Sequence, residues 1–312
     1  MMNNSNTISI DIGYGDTKVF YKNKLVKFPT AISYSNSLDI EYGRDNVYEF
    51  ENEKYYVGAD AVDSESFSMN DYNLLHKFAP LIIYHVLKKF DEHRVNKPIY
   101  LNTGLSISDW GKKTQFSNRI IDGLKKLNSE VDAPNIHLSI IPQGAGIYMD
   151  YVNSHNNPNS ATVIDIGSNT INLIHFKNGK PIKKFLRGFP NHGVSSISKT
   201  LSNYLEQKYG VAFSSTESNE ILVNERFLWN GVNDDATIDY IKTLKFQFVQ
   251  KLFRSVLVNE KKLLSTSEVV IIGGGGAYFF ENIEFPPNVT FIETPYEYGN
   301  VRGYFYSTFQ SR

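Results

Sequence analysis

Cysteine is absent from the chain. No disulfide can form and no thiolate can ligate a metal, which fits a reducing compartment. An excess of one charge is also missing. The formal net charge is −1 with a pI near 6.7, so no global field draws the protein to nucleic acid or to an anionic membrane. Long apolar runs are lacking. A bilayer span needs about 20 such residues, and the longest candidate here, 269–272, has the length of a strand. The opening MMNNSNT has neither the basic nor the apolar region of a signal peptide. No G-x-x-x-x-G-K-[ST] occurs, which excludes a P-loop. These absences read as a soluble, cytoplasmic protein with no membrane partner and no direct contact to nucleic acid.

What is present is enough for two domains. The chain has 312 residues, of which 41% are hydrophobic, so two cores can be filled. Strands are expected at 7–12, 18–21 and 25–28, with an edge strand at 54–57. A helix is expected over 73–90, where Leu74, Leu75, Phe78, Leu81, Ile82, Val86 and Leu87 share a face. The stretch IYLNTGL reads as a strand that turns at Thr103 and Gly104. A polar-faced helix over 108–127 has Ser108 as its N-cap. The strand 136–141 ends at PQGAG, which opens another helix. NSHNNPNS, 153–160, is the clearest break. Past it come a strand at 182–186, a helix at 194–209 and a polar stretch, 214–235, that resists assignment. A long amphipathic helix at 238–262 precedes the buried strand and glycine run of EVVIIGGGGAYFF. A strand in NVTFIETP and a helix over 298–309 close the chain. The expected domains are 1–156 with 293–312, and 157–292.

Both halves start alike. IDIGYGDTKVFY occupies 10–21, and VIDIGSNTINLIHF occupies 163–176. Each is a strand, then Asp-Ile-Gly, then a turn and a returning strand. From Asp11 to Asp165 is close to half the chain, so an α/β unit occurs twice, with a cleft expected between the copies. In the first turn Gly13 and Gly15 permit positive φ and a close ligand approach, and turn amides form an anion-binding concavity. Lys18 adds a compact positive charge suited to phosphate. Asp11 cannot hold phosphate, but it can hold water on a divalent cation that does. An ordinary glycine turn with solvated charges explains one such hairpin equally well. The second, with Asp165, Gly167, Ser168, Asn169 and Thr170, makes two unrelated turns a poorer account. In 271–280 a strand feeds four glycines, and a nucleotide can approach such backbone closely. Gln143, at a strand-to-helix turn, can orient a water but is too weak a base to deprotonate it; an ordinary first-turn residue is the plainer alternative.

These segments in this order resemble the actin-like ATPase superfamily. Its two phosphate loops, two connecting segments and adenosine segment are similar to 10–21, 163–176, 141–151, 298–306 and 270–280. DIGYGDTK, FPT, NTGL and PQGAG look closest to the ParM/StbA plasmid-segregation actins and their archaeal actin-like relatives. The resemblance implies duplicated ribonuclease-H-like (actin-like) α/β domains with a nucleotide cleft between them. It implies ATP or GTP with Mg²⁺ as ligands, the metal held through water by Asp11 and Asp165. Lys18 would touch the β- and γ-phosphates. Gly13, Tyr14 and Gly15, with Gly167, Ser168 and Asn169, would present amides to them. Gly273, Gly274 and Gly275 would lie along the adenosine, and Gln143 would orient the attacking water. Asp11, Asp165 and Gln143 form the implied catalytic set. Two departures stand out: Asn172 occupies a position where relatives often carry an acid, and Asp16 adds charge to the first turn.

The implied function is an ATPase whose nucleotide closes the domains and favours a head-to-tail self-contact, giving a dynamic filament that segregates plasmid DNA through a DNA-binding adaptor protein. Tyr34, Tyr42, Tyr48 and Phe67 are candidates for subunit contacts, with packing inside their own subdomain as the alternative. A sugar-type small-molecule kinase would need an acceptor base such as Asp109 or Asp132, neither of which sits in a matching motif. A cytoskeletal scaffold filament also stays open.

Overall fold

A computed structural model describes residues 6–35, 47–62, 66, 67, 69, 71–92, 98–127 and 135–310. The chain divides into two compact units, Met1–Asn153 with Tyr298–Arg312, and Ser154–Glu297. The first contains β1 (Thr7–Ile12), β2 (Asp16–Tyr21), β3 (Lys24–Pro29), β4 (Ile32–Tyr34), β5 (Val47–Phe50), β6 (Glu53–Val57), α1 (Ala59–Val62), α2 (Tyr72–Lys89), β7 (Ile99–Leu105), α3 (Lys113–Leu127), β8 (Ile136–Pro142) and α4 (Ala145–Ser154). The second contains β9 (Ser160–Ile166), β10 (Thr170–Lys177), β11 (Lys180–Pro190), α5 (Ser195–Tyr209), α6 (Ser215–Asn224), β12 (Leu228–Trp229), β13 (Val232–Asn233), α7 (Asp235–Lys251), α8 (Lys261–Thr266), β14 (Val269–Gly273) and β15 (Val289–Phe291). The closing helix α9 (Gly299–Gln310) returns to the first unit.

All six residues of β1 are buried, as expected of a strand covered on both faces. It is the middle strand of β3-β2-β1-β7-β8, antiparallel to β2 and parallel to β7. The second sheet repeats this plan as β11-β10-β9-β14-β15, with β9 antiparallel to β10 and parallel to β14. The duplication read from two short motifs therefore extends to strand order and direction. The fold is mixed α/β in two sheet-plus-helix bodies.

Helix α9 completes the first unit. Gly303 meets the backbone of Gly146 on α4 so closely that neither position has room for a side chain. Beside that crossing Arg302 makes a bidentate ion pair with Asp150 at 2.6–2.9 Å, buried on both sides. Asn102 of β7 donates to the Tyr304 carbonyl at 3.0 Å.

Several expectations need correction. Strand β6 is no edge; it lies between β4 and β5 in a three-stranded sheet. The helix over 108–127 begins instead as a 3-10 turn at Ile107–Lys112, capped by Ser106, and is α-helical only from Lys113. The long helix at 238–262 stops at Lys251, passes through a π-helical turn at Leu252–Val256, and resumes as α8. The unassigned stretch 214–235 contains α6, started by a capping box of Ser214 and Glu217, and the β12–β13 hairpin. Tyr48 is buried, and Phe67 stacks on Phe78 in the core cluster. Tyr34 stacks on Tyr55 while staying 43% exposed. Tyr42 lies outside the described residues.

The three-stranded sheet is tied to α2 by a buried histidine. Tyr48 and His85 Nδ1 share a hydrogen bond of 2.8 Å, and Phe28 lies edge-on to the ring. Burial, with the ammonium groups of Lys89 and Lys88, pushes the His85 imidazole down to about 4 from an ordinary 6.5. As pH falls the unfolded chain takes up this proton first, so stability is lost between about 6.5 and 4. The loss is on the order of 3 kcal/mol at the acid end. The unfolding free energy measured in urea should therefore fall more steeply from pH 7 to pH 4.5 in the wild type than in His85→Gln. Parallel curves would remove His85 from this account.

Candidate functional site

Asp11 sits near the end of β1, where the chain leaves the sheet for the first glycine turn. The Gly13 amide donates to the Asp16 carbonyl at 3.2 Å, and the Thr30 amide donates to the Gly15 carbonyl at 2.9 Å. Lys18 faces Asp11 across the β1–β2 register, and its Nζ donates to the same Asp16 carbonyl at 3.0 Å. A Cβ on Gly13 would stand 2.8 Å from that carbonyl oxygen and 3.2 Å from Nζ. Glycine is what lets the ammonium fold over the turn. The main chain of Asp16 thus closes this turn.

Gln143 Nε2 donates to Asp11 Oδ1 at 2.9 Å, which brings together two residues far apart in sequence. Gln143 follows β8, and its amide donates to the Leu105 carbonyl at the end of β7. The next amide, of Gly144, donates to Asn300 Oδ1 at 2.9 Å. Burial pushes the Asp11 carboxyl above its usual value, while the Lys18 charge and hydrogen bonds from Gln143 and Asn300 pull it back. Asn300, in the first turn of α9, therefore supports both Asp11 and the Gln143 turn. Sequence reasoning missed it, because nothing local in GNVRG marks a residue that meets a turn at Gly144.

Tyr14 does not join this group. It packs partly buried against the first unit's core. Burial, then the carboxylates of Asp109 and Asp71, raise its hydroxyl well above 10. Asp109 itself pairs with Lys112 at 2.9 Å. Asp132 lies outside the described residues.

In the second unit Asp165 occupies the same place on β9. It is buried, and its register partners are Asn172 on β10 and Gly273 on β14. The Gly167 amide donates to the Thr170 carbonyl at 2.9 Å, closing the turn. The carbonyls of Gly167, Ser168 and Asn169 accept from the amides of Val194, Ser195 and Gly193 at the start of α5. A Cβ on Gly193 would collide with the Ser168 carbonyl. Gly193 is thus a second residue missed as part of the site, although its place before a helix was visible. Gly274 has φ +85°, and a Cβ there would lie 2.6 Å from Asp165 Oδ1. The Gly276 amide donates to the Ile166 carbonyl at 2.9 Å, which docks the glycine run on the end of β9. A Cβ on Gly275 would lie 3.7 Å from Glu297 Cβ.

The two carboxylates are equivalent by topology but their partners differ. Seven residues beyond Asp11 comes Lys18, and seven beyond Asp165 comes Asn172; each is the antiparallel register partner of its aspartate. The residue remarked as a departure in sequence is the second unit's counterpart of the lysine. Among the described residues no group of three or more His, Asp or Glu could hold a metal ion. None of the described helices is long and apolar enough to cross a membrane.

Comparison with known proteins agrees with this architecture. Residues 9–146 match the family model described as the N-terminal domain of actin-like proteins. Residues 163–284 match that of the archaeal actin homologue, MreB-like, C-terminal. No curated protein matches the sequence. Among solved structures, the archaeal actin homologue Ta0583 in complex with ADP is 17% identical with a TM-score of 0.74, covering 98% of this chain and 99% of that one. A ParM in a 15-stranded filament from Clostridium botulinum is 22% identical with a TM-score of 0.70, over 97% and 99%. Bacillus thuringiensis ParM with ATP is 13% identical with a TM-score of 0.66, over 98% and 99%. With both halves matched by actin-like family models, the chain belongs to the actin-like proteins.

Proposed function

We propose that this protein is a filament-forming ATPase that segregates plasmid DNA in the cytoplasm, acting through a DNA-binding adaptor. The observation that carries the reading is the buried Asp11 carboxylate, held by Gln143 beside a glycine turn and matched by Asp165 beside a second turn and a glycine run. The structures with ADP and ATP, and the ParM filament, support nucleotide binding and self-association in proteins of this fold.

In this reading Lys18 and the amides of Tyr14 and Gly15 bind the terminal phosphates from the first unit; the Gly13 amide, expected to join them, is spent on the Asp16 carbonyl. The amides of Ser168 and Asn169 bind them from the second, where the Gly167 amide is likewise spent on the Thr170 carbonyl, and Gly273 to Gly275 carry the adenosine. Asp11 and Asp165 hold Mg²⁺ through water. The donor chemistry fits a cation: Asp11 is buried enough that its charge is disfavoured, and Lys18 offsets only part of this. Bound Mg²⁺ supplies positive charge that neutralises the phosphates and the charge that develops in phosphoryl transfer. Gln143 donates through Nε2, which leaves its Oε1 to accept from a water and orient it. Without a strong base, hydrolysis is slow, and slow hydrolysis lets a subunit join a filament before its nucleotide is spent. The near-neutral net charge favours contact with DNA through an adaptor.

Light scattering and electron microscopy with ATP, GTP, ADP and a non-hydrolysable analogue test the class. Filaments should form with triphosphate and shorten as it is hydrolysed. Chain that stays unassembled in every nucleotide would overturn the filament reading. Gln143→Ala should lower kcat on the order of 100-fold while nucleotide affinity and assembly persist; a wild-type kcat would sink the assignment. Asp11→Asn should abolish Mg²⁺-dependent turnover yet raise the thermal midpoint of the nucleotide-free protein. A carboxyl held above its unfolded value destabilises the fold at neutral pH, and the amide removes that charge. A lowered midpoint in calorimetry would contradict the burial argument.

A further inference from the structure

The second unit has a cavity that the nucleotide reading does not use. It measures about 680 Å³ and is walled by Val249, Phe253, Leu257, Leu264, Ile272 and Phe285. The π-helical turn at Leu252–Val256 forms one side and carries Phe253 into it. Such turns interrupt α-helices at a cost and recur at functional positions. Arg254 and Lys261 stand exposed at the rim, with Glu284 as the only acid in the lining. Val258, half exposed, forms part of the lip.

At the other end of α7 is a projection. The β12–β13 hairpin leaves Val232 68% exposed and Leu228 45% exposed. Its root is rigid: Trp229 packs on Tyr209 at 4.4 Å between ring centres, and Asp234, which caps α7, accepts from Lys208 at 2.8 Å. Asp235 is exposed beside it. Helix α7 has 17 residues and so spans about 25 Å. One compact body therefore carries an apolar knob beside an acidic residue at one end of a helix, and an apolar hole with a basic rim at the other.

We propose that the hole receives the β12–β13 hairpin of a second copy of this chain, with Val232 entering between Phe253 and Leu264 and Asp235 facing Arg254 and Lys261. The inference rests on the filament reading above and names one contact within it. Knob and hole are different surfaces at opposite ends of a rigid element, so the contact is heterologous and does not close on itself. Charge complementarity sets the direction in which copies add.

The absence of cysteine makes the test clean. In Val232→Cys/Val258→Cys, assembly with ATP followed by a short bismaleimide crosslinker should give a ladder of dimers, trimers and longer species on a denaturing gel. Each single-cysteine variant should give monomer only, because a heterologous contact joins position 232 to 258 and not to itself. Wild-type-like light scattering without a ladder would overturn this contact while leaving the filament reading intact, and would return the cavity to another occupant such as a small apolar ligand. Dimers from a single-cysteine variant would show a two-fold contact and also overturn it. No assembly by wild-type chain in any nucleotide would overturn both.

Discussion

A carboxylate buried at the end of a central strand is the constraint on which the rest of the structure depends. Burial disfavours charge, and an unpaired carboxylate in a low-dielectric interior is costly. At Asp11 the chain answers with Lys18 across the register, with the Gln143 amide, and with Asn300 from the returning helix. Each answer requires a part of the fold. Lys18 requires the tight β1–β2 hairpin. Gln143 requires β8 to end beside β7. Asn300 requires α9 to cross α4 at the Gly146–Gly303 approach, where Arg302 and Asp150 fix the orientation. Breaking such a buried pair costs about 3–5 kcal/mol, so the support of Asp11 is coupled to the integrity of the last helix.

The same constraint is met differently in the second unit. Asp165 has Asn172 where Asp11 has Lys18. Space is reserved instead. Gly273 is its neighbour on β14, and Gly274 adopts a positive φ at a point where any side chain would press on the carboxylate. One half sets an ammonium opposite its acid, and the other packs a glycine against its acid. Two copies of one topology thus surround equivalent aspartates with different chemistry.

Much of this was legible in the sequence where the signal is local. Asp-Ile-Gly followed by a turn and a β-branched return shows the two hairpins, and their repetition shows the duplicated sheet. Gln143 was legible only in company: alone it reads as an ordinary first-turn residue, and the two hairpins and the glycine run are what single it out. What was hidden depends on tertiary proximity or on a change of helical type. Asn300 reads as an ordinary helix residue until α9 is docked. The break at 252–256 keeps apolar residues at near-helical spacing, so periodicity cannot register the extra residue of a π-turn; Phe253 is instead held by Phe280 and Phe285, which lie later in the chain. Strand β6 looked like an edge because its partner β4 has only three residues.

Self-association of the kind proposed would also constrain what the sheets show to solvent. A protein that meets its own copies at high local concentration risks pairing along open strand edges, a contact that no nucleotide could reverse. Both antiparallel edges are rich in positive charge: β3 contains Lys24 and Lys27, with Lys22 just before it, and β11 contains Lys180, Lys183, Lys184 and Arg187. Like charges along an edge oppose a second identical edge. At the far side of the second sheet β15 has only three residues and offers little to pair with. Strand addition is thereby disfavoured at three of the four edges of the main sheets. At those three edges association through side-chain surfaces, whose strength a change in the folded units can tune, is favoured over strand addition. That is the property the proposed nucleotide-governed assembly would need.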